Sequence, residues 1–208
     1  MKRIIYLIII GIFIASFQTK AQDIPQIKLD SLKMKLETLF MKDQIFRRMY
    51  KDVEKRYGQE SDEIEYFWEV VEKQDKVLEK EVVAIIEKYG WLGISQVGRL
   101  ANTTIWGVLQ HGSVASKEKY APLLKESVLL KESQPKHYAR LIDRMLINSD
   151  KPQLYGSQFE YGLDGKATFF PIKDPETVNK RRQDLGLNTI QEFAKQKGIE
   201  LGVVLKTK

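Results

Sequence analysis

The chain has 208 residues, no cysteine and a formal net charge of +6. The missing thiols exclude disulfide staples, thiolate metal sites and cysteine nucleophiles together, and the length suits one domain with a proper core. The charge is a poor guide to partners until the first twenty residues have been read.

Met1-Lys2-Arg3 makes a short cationic start, Ile4 to Phe17 is an almost unbroken apolar run, and Thr19-Lys20-Ala21 places small residues at the −3 and −1 positions of a cut after Ala21. That is the three-part pattern of an export signal. A membrane span needs about 20 apolar residues. The apolar run here has 14, so a retained signal-anchor in the inner membrane is the lesser expectation. We expect a signal peptide over 1–21 and a helix-rich domain over 22–208, exported to the periplasm or secreted. Without Lys2, Arg3 and Lys20, 31 basic residues face 28 acidic ones and the net charge falls to +3. No nucleic-acid partner is expected from such a balance. Nor is stable membrane insertion expected once the signal is removed; a small molecule or an envelope protein remains open as partner.

Apolar residues at alternating intervals of three and four, Leu29, Leu32, Leu36, Leu39, Phe46, Tyr50, Val53 and Tyr57, predict a long amphipathic helix. Gly58 to Asp62 break it, and Asp62 with Glu65 forms a plausible capping pair for a second helix. That helix carries Ile64, Trp68, Val71, Leu78, Val82, Ile85 and Tyr89 on one face and ends at Gly90. The short connection makes the two an antiparallel hairpin. Ser95 is the expected cap of a third helix to about His111, with Val97, Leu100, Ile105 and Val108 inward. A fourth helix is expected over about Ser116 to Ser133, and a fifth from Pro135 to about Ile147.

The character then changes. Gln153 to Tyr161 and Ala167 to Ile172 flank Gly162-Leu163-Asp164-Gly165, the pattern of one small β-hairpin near residues 153–172. Asp174-Pro175 opens another helix, and Asn188 with Gln191 reads as the cap of a last one closed by Gly198. The fold class is mainly α (α+β): a helical bundle beginning with a long helix hairpin.

Two carboxylates interrupt the apolar stripes. The spacing of the first helix predicts an inward residue at Asp43, and that of the second predicts one at Asp75. A charge on a buried face is costly unless paired, and Arg47, one turn after Asp43, is the nearest cation on that face. Antiparallel pairing of the hairpin places Arg47 near Gln74 and Asp75. We therefore expect a charge cluster of Asp43, Arg47 and Asp75, either a polar layer that fixes helix register or the floor of a polar pocket.

Further polar candidates lie downstream. His111, with Asp143 as its carboxylate, is the best acid–base pair the chain offers for catalysis. Gln110, Arg144, Gln153, Tyr155 and Gln158 are candidate ligand-binding residues. Ser157 is outside the G-x-S-x-G elbow of the hydrolases, and a solvated basic face is the default reading of Arg181-Arg182. His111 and His137 are the only histidines, with neither H-E-x-x-H nor an Asp-rich calcium loop. No metal and no cofactor is expected.

Taken in order, Asp43-Gln44 with Arg47, Gly90-Trp91, Gln110-His111, Asp143-Arg144, Gln153 with Tyr155-Gly156-Ser157-Gln158, and Arg181-Arg182 before Leu185-Gly186-Leu187 resemble the bacterial family termed domain of unknown function 6624. The resemblance spans about residues 43–187. Ser157 stands where the family usually has Thr, and Leu92 where it often has Pro. It implies no activity and no catalytic residue. Three functions stay open: ligand or partner binding through a polar pocket, a hydrolase-like enzyme using His111 as general base, and a purely structural polar network with interaction at the surface.

Overall fold

The structure is a computed structural model that describes residues 24–162 and 165–199. The expected signal peptide, 1–21, and Leu163-Asp164 of the expected hairpin loop lie outside the described residues. The fold is mainly helical. Helices α1 (Gln26–Tyr57) and α2 (Asp62–Tyr89) form the long antiparallel pair. Then follow α3 (Ile94–His111), α4 (Val114–Leu129) and α5 (Pro135–Ile147), strands β1 (Phe159–Tyr161) and β2 (Ala167–Phe169), and α6 (Val178–Asp184) and α7 (Ile190–Lys197).

The alternating spacing works as side-chain geometry requires. Leu32, Leu36 and Leu39 of α1 are buried against Leu78, Val82 and Ile85 of α2, and α3 closes the third side with Val97, Ala101, Ile105 and Val108. Tyr120 and Leu124 of α4 and Leu141 of α5 complete this core. Each fully buried aliphatic side chain contributes roughly 1.5–3 kcal/mol of transfer free energy. A smaller cluster, with Phe169, Ile172, Val178 and Ile190, lies beneath the hairpin and the last two helices.

Several local expectations change. Ser61, not Asp62, caps α2, its hydroxyl accepting from the Ile64 N–H. Leu100 is turned outward at 42% exposure, because Gly98, at φ 81°, kinks the first turn of α3 and shifts the phase of its apolar face. That conformation is one glycine adopts freely. Helix α4 ends at Leu129, and Ser133 beyond it is buried. There its hydroxyl receives the Trp91 Nε1–H and an Asn102 amide N–H at 3.0 and 2.9 Å. The hairpin is shorter than the alternation suggested. Phe159, Glu160 and Tyr161 pair with Phe169, Thr168 and Ala167, while Gln153 makes only an isolated parallel bridge to Ile172. Helix α7 is capped by Thr189 with Glu192, not by Asn188 with Gln191.

Candidate functional site

Two polar assemblies stand out, and they are built differently. The first joins α1, α2 and the C-terminal end of α3. Arg47 donates through Nη2 to Asp75 Oδ2 at 2.8 Å and through Nη1 to the Asp43 carbonyl at 2.8 Å, with Asp43 Oδ1 at 3.4 Å. Asp43 is 3% exposed and also receives the Gln44 amide N–H at 2.7 Å. His111 completes the group: Nδ1 lies 3.0 Å from Asp43 Oδ1, and Nε2 is 3.3 Å from the Arg47 Nε–H. Those partners assign the neutral ring its proton on Nδ1. Burial acts to raise the Asp43 pKa, but the His111 hydrogen bond, the charges of His111 and Arg47 and the Gln44 amide together hold it below the ordinary aspartate value.

His111 thus takes Asp43 as its carboxylate, which corrects the expected His111–Asp143 pair. Its Nε2 faces Arg47, and among the described residues no hydroxyl hydrogen-bonds to it. Gln110 Oε1 and Asp75 Oδ1 are buried acceptors without a donor. Arg144 is exposed and acts on Lys117. The Lys117 ammonium donates to the Gly112 carbonyl at 2.7 Å, and burial, then Arg144, depress its pKa.

The second assembly begins at Asp143, which is fully buried on α5. Oδ1 accepts the Leu154 and Tyr155 N–H groups at 2.8 and 3.0 Å, and Oδ2 accepts the Ser157 N–H at 2.9 Å. One carboxylate therefore serves the backbone of a non-repetitive loop that has no ladder partners of its own. Burial raises its pKa, against the lowering effect of these donors. Gln153 and Gln158 clasp each other across the same loop: the Gln158 N–H donates to Gln153 Oε1, and Gln153 Nε2 donates to the Gln158 and Phe170 carbonyls. Gly156, at φ 63°, sits where a Cβ would meet Ile190 Cδ1 at 2.6 Å, so only glycine fits there. Tyr155 is half-buried with its ring edge-on to Tyr138, and burial pushes its phenol to about 12.

Arg181 and Arg182 are not a solvated face. Arg181 donates to the Leu154 carbonyl at 2.8 Å and to the Lys173 carbonyl. Arg182 is 2% exposed, donates to the Tyr155 and Asn188 carbonyls at 2.6 Å each, and lies over the Phe193 ring. It forms no ion pair with a carboxylate among the described residues.

This loop and Arg182 form one wall of a cavity of about 510 Å³ between α3, α5 and the α6–α7 corner. Five cations line it, Arg99, Lys136, Arg140, Arg182 and Lys197, and no carboxylate does. Ser157, Gln134 and Asn188 supply polar atoms, and Pro135, Leu187 and Phe193 supply apolar surface. Burial and then Arg144 lower the Arg140 pKa, and burial lowers that of Arg182. Near this group, His137 is buried and stacked on Trp106 with ring centroids 4.1 Å apart. Burial, with Lys136, Arg140 and Arg99, drives its pKa down to about 3.

Sequence reasoning passed over Arg99, Lys136, Arg140 and Lys197. Isolated lysines and arginines on amphipathic helices are the commonest surface residues, and only the meeting of α3, α5 and α7 makes them a group. The one usable signal was the pair Lys136 and Arg140, four apart on one face of α5. A larger hollow of about 630 Å³ lies between α1 and α2 beside the turn that joins them. It is lined by Phe46, Val53, Tyr57, Tyr66, Phe67 and Val70, with Asp62 and Glu63 as its charged groups.

The model of the family of unknown function DUF6624 matches residues 33–207. Comparison with curated proteins and with solved structures yields no match. The chain belongs to DUF6624. The segments that carry the family resemblance fall into both assemblies: Asp43-Gln44, Arg47 and His111 in the first, and Asp143, the 153–158 loop, Arg182 and Gly186-Leu187 around the second.

Proposed function

We propose that this DUF6624 member is an exported ligand-binding domain that holds a small anionic molecule in the cavity between α3, α5 and the α6–α7 corner. One observation carries this reading: five cations face a common hollow with no carboxylate in its lining. Like charges gathered around one hollow repel, and an anion relieves that repulsion. Arginine suits the task, since its planar fork binds carboxylate or phosphate through paired N–H donors. The volume falls within the range of small-molecule sites. The polar side chains of Ser157, Gln134 and Asn188 suit the neutral part of such a ligand, and Phe193 and Leu187 its apolar part. The three-part pattern at the start of the chain supports export.

The geometry weighs against a hydrolase with His111 as general base. A base needs a free lone pair within reach of the proton it removes, and His111 Nε2 faces the Arg47 Nε–H. The buried groups Asp143, Gln153 and Gln158 are occupied by backbone and by one another, which supports a supporting role behind the cavity wall.

The test is calorimetric titration of the purified protein with pyrophosphate, citrate and a hexose phosphate, beside the neutral hexose. We expect saturable, salt-sensitive binding of at least one anion and none of the neutral sugar. The double variant Arg99→Ala/Arg140→Ala is expected to lose about 10- to 100-fold in affinity, as removal of two charge-assisted contacts implies. Failure of all three anions to bind, or binding indifferent to the double variant, overturns the reading.

A further inference from the structure

Helix α1 is apolar on two opposite faces. Leu32, Leu36 and Leu39 are buried against α2 and α3. On the other side Ile27, Met34, Met41 and Ile45 are exposed at 82, 70, 64 and 54%. Ile27, Met34 and Met41 repeat every seven residues, and Ser31, Thr38 and Ile45 fall four residues after each of them. Together they form one narrow seam about 27 Å long, at 1.5 Å per residue, with the spacing of coiled-coil core positions. Arg48 and Asp52 occupy the next two seam positions and end it.

The flanks identify the occupant. One edge carries Lys28, Lys35 and Lys42, and the other carries Asp30 and Glu37. In a parallel, in-register pair of identical helices, the residue on one flank faces the residue five positions later on the other flank of its partner. Asp30 then meets Lys35 of the second copy, and Glu37 meets Lys42, each twice by symmetry. An antiparallel pair would set lysine row against lysine row. The lysine edge already touches α2, with Lys35 3.1 Å from Glu81, but the side chains are 49 and 32% exposed and an ammonium has three donors to share.

We infer that the outer face of α1 is a homodimer seam that joins two copies of this chain in parallel. The hydroxyl-bearing Ser31 and Thr38 and the flexible methionines make it a modest interface, so the dimer is expected to dissociate on dilution. Sedimentation of the purified protein up to ~100 μM, a range that detects micromolar association, should show a concentration-dependent dimer. Met34→Glu/Met41→Glu should be monomeric with unchanged helical circular dichroism and melting temperature, which separates loss of pairing from loss of folding. The chain has no cysteine, so Ser31→Cys should give one disulfide-linked dimer on mild oxidation, because a parallel register sets Ser31 beside its own copy. A protein monomeric throughout that range, a dimer that survives the double glutamate variant, or a dimer without the Ser31→Cys cross-link overturns the inference. So does a monomer that instead sediments with phosphatidylglycerol vesicles through the same seam.

Discussion

The two polar assemblies differ in how their charges are balanced. In the α1–α2–α3 cluster, opposite signs meet within a few ångströms: Arg47 lies between Asp43 and Asp75, and His111 leans on Asp43. Around the cavity, the buried carboxylate of Asp143 is spent on three backbone N–H groups, and among the described residues the cations at the wall have no acid in the lining. A set of opposite charges paired across three helices is what helix register requires. An open set of one sign is what a ligand completes. The oddest residue in a sequence pattern and the best place to bind a ligand therefore need not coincide.

That contrast can be broken experimentally. The largest effect is expected from Asp143→Ala, which strands three backbone donors at once, that of Ser157 fully buried. A loss of about 3 kcal/mol or more follows from the cost of unsatisfied groups, read by urea denaturation, and anion binding should fall with it because the loop forms the cavity wall. Retention of full stability would mean that the loop is held by other contacts.

Next comes the burial of His137, which the neighbouring cations reinforce. In the folded protein it titrates at about 3, against 6.5 for the free side chain. Between those values the unfolded chain takes up a proton that the folded one refuses. Stability therefore falls as pH drops through this window, by up to about 1.4 kcal/mol per pH unit. His137→Phe keeps an aromatic ring beside Trp106 and should flatten this part of the stability profile; an unchanged slope would show that burial and the cations do not depress the His137 pKa.

The smallest effect belongs to the balanced cluster. Asp43→Asn should cost about 1 kcal/mol at neutral pH, since Arg47 keeps Asp75 and the amide still accepts a hydrogen bond. The depressed Asp43 pKa contributes stability that is fully present above about 3.9 and lost as pH falls through the lower folded value. The variant should lack that acid-side loss in guanidinium melts at pH 2–5, compared on the same scale as the wild type. Anion affinity should stay unchanged, and a large fall in it would erase the distinction between the two regions.

Much of the helical architecture was legible, because periodic burial leaves a periodic trace. The stripes of α1 and α2 and the glycines at their ends mark these elements almost to the residue. Polar residues inside a stripe were legible too, and Asp43, Arg47 and Asp75 do meet. The partner of His111 was not. Asp43 and Asp143 stand 68 and 32 positions away, and nothing in a one-dimensional pattern ranks those distances. The loop at 153–158 departs from its pattern for a related reason: its alternation suggested a strand, yet the amide donors of Leu154, Tyr155 and Ser157 go to a single side chain on α5.

The sequence by itself determined the helix hairpin, the later change to strand and loop, and the absence of thiol chemistry, since each depends on residue type and local spacing. It also held the seven-residue seam of α1, although only burial showed which of that helix's two apolar faces is covered. The tertiary structure alone decided where charge accumulates. Arg99, Lys136, Arg140, Arg182 and Lys197 come from four helices and are ordinary wherever they stand in the chain. Electrostatic energy depends on distance through space, and the cavity exists only because packing brings those helices to one place.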